Sequence, residues 1–212
     1  MRTILCLLLL LIAAGPVASY PTSSNLIPTA DMLEPGNLRV EGENDGAPRP
    51  FGGESENYLL LQYGATPRLE IGLDVYGVSD TNDLLLNAKW LAIGEARRRP
   101  AVAVGVLEYG SGFDPVSYVV GTKDLGRGLR LHLGGATAAG DRALLLGLEQ
   151  QITPRDYLLA DWSSWRQGYT SVGLYHEFGA GLALNVAYAW SRDGEELDAI
   201  VVNLAWTHAL SL

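Results

Sequence analysis

The sequence has almost no cysteine, few charged residues and no long uninterrupted apolar segment outside its first residues. Cys6 is the only cysteine among 212 residues, so no intrachain disulfide is possible. Charged residues make up 18% of the chain, whereas soluble domains average about 25%. Apolar residues nevertheless reach 48%, which excludes the composition of a disordered chain.

The amino terminus has the features of a secretory signal peptide. Arg2 precedes an apolar run from Ile4 to Ala14, and the small residues Val17-Ala18-Ser19 suit cleavage after Ser19. The run is too short for a membrane-spanning helix, which needs about 20 residues. We therefore predict a signal peptide over residues 1–19, with an uncleaved anchor as the alternative. Cleavage would remove Cys6, and loss of Arg2 would take the formal net charge from −9 to −10. So acidic a chain is not expected to bind nucleic acid.

Enzyme and cofactor motifs are missing as well. The chain contains no G-x-S-x-G, P-loop, H-E-x-x-H or dinucleotide-binding motif. Its three histidines, His132, His176 and His208, fall on separate predicted strands without a carboxylate at metal-ligand spacing. We expect no catalytic residue, no metal site and no cofactor, and predict that the protein is not an enzyme.

What recurs along the chain is strict alternation of apolar and polar residues. In "ATPRLEIGLDVYG" at Ala65–Gly77, apolar residues alternate with Glu70, Gly72, Asp74 and Tyr76 after a Thr-Pro-Arg turn. About twelve such runs follow one another, or ten if the least regular ones are not strands. Their connections alternate between an Arg-rich class and an acidic, Gly- and Ser-rich class, as an up-and-down meander requires. We predict an all-β protein with a single closed antiparallel barrel over residues 37–212, preceded by a periplasmic leader over residues 20–36.

The apolar face of this barrel is predicted to contact lipid. About ten residues per strand, tilted by about 40°, rise about 25 Å, which is the height of a membrane apolar band. Aromatic residues on the apolar face lie near strand ends, as expected for two interfacial girdles. The predicted girdle consists of Tyr63, Trp90, Phe178 and Trp206 near the Arg-rich turns, and Tyr118, Trp162 and Trp190 near the acidic loops. A soluble barrel with its apolar face inside is the alternative.

The chain resembles the small Gram-negative outer-membrane β-barrels of the porin-like kind, from about Asn25 to Leu212. The resemblance rests on "NLIPTADMLEPGNLRVE", "YGATPRLEIGLDVYG", "LNAKW" and the terminal "VVNLAWTHAL". It implies residence in the bacterial outer membrane, contact with its lipid and lipopolysaccharide, and insertion by the outer-membrane assembly machinery. In such families the last strand usually ends in an aromatic residue, whereas Leu212 stands there in this chain.

The polar face is expected to line a lumen, because charges facing hydrocarbon would be costly. Acidic residues outnumber basic ones seven to four on this face, so cations should pass more easily than anions. The predicted pore-lining residues are Arg39, Glu41, Glu43, Glu70, Asp74, Lys89, Lys123, Arg130, Glu149, Asp161 and Glu177.

Three functions are compatible with this barrel. The first is a narrow, weakly cation-selective pore for small solutes. The second is a non-conducting structural or adaptor barrel of an envelope export system, whose leader plugs the lumen or binds a periplasmic partner. The third is a membrane-embedded hydrolase, which would require Asp74 or Asp161 beside a histidine at the barrel rim.

Overall fold

A computed structural model describes residues 23–46, 55–77, 83–110, 114–165, 168–191 and 198–210. The predicted signal peptide (1–19), residues 20–22 of the predicted leader and Leu212 lie outside these described residues. Within them, no helix is long and apolar enough to cross a membrane.

Twelve β-strands form one closed barrel, and each strand pairs antiparallel with the strands before and after it. The seam is made by the first and last strands, which pair from Asn37 opposite Ala209 to Gly46 opposite Ile200. The predicted all-β, up-and-down, twelve-stranded barrel is confirmed. The strands are β1 (Asn37–Gly46), β2 (Ser55–Thr66), β3 (Leu69–Tyr76), β4 (Asp83–Ile93), β5 (Ala101–Tyr109), β6 (Val116–Gly126), β7 (Leu129–Ala138), β8 (Asp141–Gln151), β9 (Asp156–Ser163), β10 (Tyr169–Gly179), β11 (Leu182–Ser191) and β12 (Ala199–Ala209).

The connections between strands define two ends of the barrel. The short-turn end carries the β2–β3, β4–β5, β6–β7, β8–β9 and β10–β11 connections, and the chain reaches β1 at this end. The long-loop end carries the other connections. Two of the short turns, Gly126-Arg127-Gly128 and Gly179-Ala180-Gly181, each contain three consecutive residues with positive φ. Glycine adopts this backbone region without the steric cost that a Cβ imposes.

The outer face of the barrel is apolar along the middle of the strands. Large aliphatic side chains are exposed there on most of the strands, and a soluble protein rarely exposes so extended an apolar surface. A closed barrel with this exterior satisfies its backbone hydrogen bonds internally, as a bilayer requires. The apolar face therefore points to lipid. Its most exposed members include Leu84, Leu86, Leu133, Leu144, Leu174 and Leu204.

Strand β6 has the opposite orientation from the one predicted. Val119 is 48% exposed on the outside, whereas Tyr118 and Val120 are 6% and 0% exposed and lie on the inner face. Tyr118 is therefore not part of the outer girdle. Lys123 has the outward parity of Val119 and pairs instead with Glu95 at the short-turn end, with 2.5 Å between Nζ and Oε1. The prediction was wrong because adjacent valines make both faces of β6 apolar, so alternation alone does not fix its register.

Candidate functional site

Residues 23–36, which we call the internal segment, lie inside the barrel. The segment approaches β1 from the lumen, and its backbone joins the wall where Gly36 N donates to Gly64 O at 2.8 Å. Residues 20–36 were predicted to form a periplasmic leader that could plug the lumen, and its described part, residues 23–36, contacts inward-facing side chains of the barrel. The buried residues of the segment are Ser24, Asn25, Ile27, Thr29, Ala30 and Leu33.

Three backbone N–H groups of the internal segment donate to side chains of three different strands. Leu26 N donates to Asp161 Oδ2 on β9, and Ala30 N donates to Thr122 Oγ1 on β6, both at 2.9 Å. Leu33 N donates to Glu70 Oε2 on β3, also at 2.9 Å. The inner wall thus supplies acceptors for the backbone of the segment, which turns back on itself between Ser23 and Pro28 and pairs with no strand of the barrel along most of its length.

Side chains of the internal segment add a second set of contacts. Asn25 Nδ2 donates to Ser171 Oγ at 2.9 Å, and Asn25 Oδ1 accepts from Asn185 Nδ2 at 3.1 Å. Ser171 in turn donates to Asp161. The segment therefore contacts β10 and β11 through hydrogen bonds as well as β3, β6 and β9.

Glycine at inward positions of the wall leaves room for the internal segment. A Cβ added at Gly147 would lie 2.9 Å from Ile27 Cδ1, and one added at Gly64 would collide with the carbonyl oxygen of Glu34. Neither neighbour could keep its position beside a larger wall residue. These glycines are a signal in the sequence that sequence reasoning did not use.

The internal segment borders two cavities. The first, of about 300 Å³, is lined by segment residues Ser23 to Pro28 together with Glu43, Asp45, Asp74 and Glu108. The second, of about 400 Å³, opens toward the short-turn end beside Asp31 and Met32, and its wall carries Arg130 and Glu149. One part of the segment thus lines the first cavity and a later part lines the second.

Two carboxylates of the first cavity are held by neutral amides. Glu43 Oε2 accepts from Asn203 Nδ2 at 2.5 Å, and Asp74 Oδ2 accepts from Asn87 Nδ2 at 2.5 Å. Both donors are uncharged amides, so neither bond is an ion pair. We call the carboxylates Glu43, Asp45, Asp74 and Glu108 the acidic vestibule.

The basic residues of the inner wall are engaged in ion pairs. Arg39 Nε lies 2.8 Å from Glu41 Oε2, and Lys89 Nζ lies 3.2 Å from Glu70 Oε1. Arg130 Nη2 lies 2.5 Å from Asp31 Oδ1 of the internal segment. These pairs contribute little net charge to the lumen.

The structure places most of the predicted lumen residues on the inner wall. The residues with inward parity are Arg39, Glu41, Glu43, Glu70, Asp74, Lys89, Arg130, Glu149, Asp161 and Glu177, and Lys123 is the exception described above. Glu108 was missed. It lies within a register shift between β4 and β5 and has a φ of 59°, and this irregularity turns it toward the lumen.

The remaining predicted girdle residues lie on the outer face of the barrel. Tyr63, Trp90, Phe178 and Trp206 are near the short-turn end, and Trp162 and Trp190 are near the long-loop end. At the short-turn end, the His208 ring stacks on Trp206 with 4.9 Å between ring centroids.

No hydrolytic arrangement forms around the two aspartates considered for one. Asp74 bonds to Asn87, and Asp161 bonds to Ser171 and the internal segment. His176 Nδ1 does contact Asp156 Oδ1 at 2.6 Å at the short-turn end, but Thr153 donates to the same carboxylate rather than to the imidazole. A triad requires the hydroxyl on the imidazole. Within the described part of the chain, no group of three His, Cys, Asp or Glu residues is placed to hold a metal ion.

Comparison with known proteins gives a likeness of fold. No protein-family model and no curated protein sequence matches the chain. Among solved structures, the chain is similar to the KdgM porin in complex with disordered oligogalacturonate (TM-score 0.59, 10% identity, covering 80% of this chain and 98% of that one). It is similar to the NanC porin, with a TM-score of 0.55 and 10% identity, covering 82% of this chain and 99% of that one. It is also similar to an outer-membrane channel from Pseudomonas putida F1, with a TM-score of 0.56 and 11% identity, covering 85% of this chain and 97% of that one. The chain therefore has the fold of the outer-membrane porins, and its apolar exterior is that of an outer-membrane β-barrel.

Proposed function

We propose that the protein is a narrow outer-membrane channel that admits small solutes and weakly favours cations. The observation that carries this proposal is the acidic vestibule, which combines four carboxylates with a cavity of about 300 Å³. Carboxylates in a low-dielectric cleft raise the local concentration of cations. The ion pairs elsewhere on the inner wall oppose this field only weakly.

The same vestibule argues against transferring the ligand of one similar structure to this chain. The KdgM porin was solved with an oligogalacturonate, which is a polyanion. A cavity lined by Glu43, Asp45, Asp74 and Glu108 would repel such a ligand. We therefore infer that the preferred solutes are neutral or cationic.

The partners follow from the proposed location. A barrel in the outer membrane would contact lipopolysaccharide in the outer leaflet and would be inserted by the assembly machinery. Both contacts are part of the proposal, as are the small solutes themselves.

Single-channel recording across a salt gradient tests the proposal on the refolded mature chain. We expect discrete openings whose reversal potential shows a modest cation preference. The double variant Glu43→Gln with Asp74→Asn should shift the reversal potential toward zero selectivity, because it replaces two ionisable carboxyl groups with neutral amides of nearly the same volume.

Asp141→Asn is the matched control, since it removes one carboxylate from an exposed position at the start of β8. Its reversal potential should stay close to that of the unsubstituted chain. An unchanged reversal potential in the double variant would refute the vestibule as the source of selectivity.

A second candidate function is a non-conducting structural or adaptor barrel, and the presence of the internal segment in the lumen favours it. A heat-dependent gel shift reports whether the barrel is folded, and vesicle flotation reports insertion. Inserted, folded barrels that never conduct would support this second function over the channel.

A further inference from the structure

We propose that the inner wall of the barrel is a binding site for a peptide segment, occupied in this structure by residues 23–36, and that solutes pass only while the segment is displaced. The inference rests on the proposed channel function and adds the ligand class and the control of that channel.

The wall recognises the backbone of its occupant. The three N–H groups of Leu26, Ala30 and Leu33 donate to acceptors on β9, β6 and β3. Every residue except proline carries such a donor. A site built from these acceptors selects a peptide by its main chain, and Asn25 and Asp31 add contacts that depend on side chains.

The internal segment can leave without dismantling the barrel. The twelve strands pair with one another around the whole circumference, and the pairing includes no residue of the segment. Its attachments include hydrogen bonds to wall side chains and to the Leu159 carbonyl, the Arg130–Asp31 ion pair, and apolar contacts of Ile27 and Ala30 with the wall. At its end, Gly36 N donates to Gly64 O and Gly36 O accepts from Leu210 N. Displacement would therefore leave the inter-strand ladders intact.

Hydration of the wall offsets part of the free-energy cost of displacing the segment, because water replaces each lost hydrogen-bond partner. Asp161, Thr122 and Glu70 would be hydrated once the lumen fills with water. The segment can therefore leave without stranding unsatisfied polar groups on the wall.

Occupancy and conduction exclude each other on geometric grounds. A twelve-stranded barrel has a backbone radius of about 12 Å, and side chains fill part of that width. The internal segment lies in the remaining space, where its residues line the cavities on the vestibule side and on the short-turn side. Removing the segment would join the space that it now occupies to both cavities.

A reversible disulfide tests this control in the full mature chain. Cys6 is the only natural cysteine and lies in the predicted signal peptide, so the pair Ala30→Cys with Thr122→Cys would be the only thiols. Ala30 N and Thr122 Oγ1 are 2.9 Å apart, which brings the two residues close together. We expect channel openings in the reduced protein, loss of openings on oxidation, and recovery when a reductant is added.

The single variant Ala30→Cys, taken through the same cycle, controls for redox effects and should open equally in both states. The cross-link of the oxidised double variant is verified by mass spectrometry. If this variant opens as often as the reduced one, control by the internal segment is refuted, whereas the proposed channel function is still supported. If neither the unsubstituted chain nor the reduced variant ever opens despite insertion, the proposed channel function itself fails.

Synthetic peptides test the ligand class. A peptide with the sequence of residues 23–36, added on both sides of the bilayer, should compete for the vacated wall and shorten the openings of the unsubstituted chain. The matched control peptide has proline in place of Leu26, Ala30 and Leu33, which removes the three N–H donors. Shortening by the native peptide alone supports main-chain recognition, whereas equal effects of the two peptides, or no effect of either, would refute it.

Discussion

Gly64 illustrates how a single wall residue can set the position of the internal segment. A Cβ at this position would collide with the carbonyl oxygen of Glu34 and lie 2.9 Å from that of Leu33, both of which are backbone atoms of the segment. We predict that Gly64→Ala displaces the segment where it meets the wall and increases the fraction of time that the channel is open. Single-channel recording measures this fraction directly.

Gly42 on β1 provides the control for this change. A Cβ added there has no neighbour within 4 Å, so Gly42→Ala alters strand composition equally without touching the segment. Its open fraction should match that of the unsubstituted chain. If Gly64→Ala and Gly42→Ala have the same open fraction, Gly64 does not set the position of the segment.

The predicted direction of a side chain, into the lumen or toward lipid, is correct where apolar and polar residues alternate regularly and wrong where they do not. Glu41, Glu70 and Asp161 were placed inside correctly because their strands alternate cleanly between polar and apolar residues. Lys123 was misplaced on a strand whose faces are both apolar. Glu108 was missed because a register shift reverses the direction in which its side chain points.

At the scale of elements, the β10–β11 turn offers a comparison between two glycines that differ in one respect. Gly179 and Gly181 both have positive φ, but a Cβ at Gly179 has open space whereas one at Gly181 would collide with Thr207 O of β12. We predict that Gly179→Ala lowers the free energy of unfolding by about 1 kcal/mol through backbone strain.

Gly181→Ala should lower the free energy of unfolding by about 1–3 kcal/mol more than Gly179→Ala does, because the collision with β12 adds to the strain. Urea unfolding in detergent micelles, followed by the heat-dependent gel shift, measures both variants. Equal losses of stability would indicate that β12 moves away freely, contrary to the hydrogen bond from Thr207 N to Gly181 O at 2.9 Å.

The location of the internal segment was harder to predict from the sequence than that of any strand. Its length and its place before β1 could be predicted, and a plug was one of the alternatives considered. Its location could not be derived, because its acceptors Asp161, Thr122 and Glu70 are distributed over three distant strands. Only the closure of the barrel brings those strands to face a common lumen.

At the scale of the whole molecule, the outer face should be sensitive to charge according to depth in the bilayer. Leu146 lies in the middle of β8 and is 41% exposed on this face. We predict that Leu146→Arg lowers the free energy of unfolding from vesicles by about 2–4 kcal/mol, because the guanidinium would sit near the bilayer midplane.

Leu182→Arg is the matched control, since Leu182 is the first residue of β11 and lies at the short-turn end. Its cost should be about 0–1 kcal/mol, as expected near an interface. Equilibrium unfolding of vesicle-inserted protein measures both. Similar costs for the two variants would contradict the assignment of this face to lipid.

The architecture of the molecule was predictable because one physical constraint acts on every strand. A bilayer demands closure of the sheet, a two-residue period and apolar residues on one face, and each strand repeats that pattern. The contents of the lumen obey no such repeated constraint. Buried polar groups in the lumen require hydrogen-bond partners, but many different residues can supply them. The bonds of Asn25 with Ser171 and Asn185 are one such arrangement.

The covalent continuity of the internal segment with β1 has a consequence for how the lumen responds to dilution. A ligand joined to its site through Gly36 rebinds in an intramolecular reaction, whose effective concentration is on the order of millimolar for a short tether. Diluting the protein therefore leaves the occupancy of the lumen unchanged. A free competitor has to match that effective concentration, whereas one tethered nearby, such as an extended segment of a docked partner, could exchange with the segment at far lower bulk concentration.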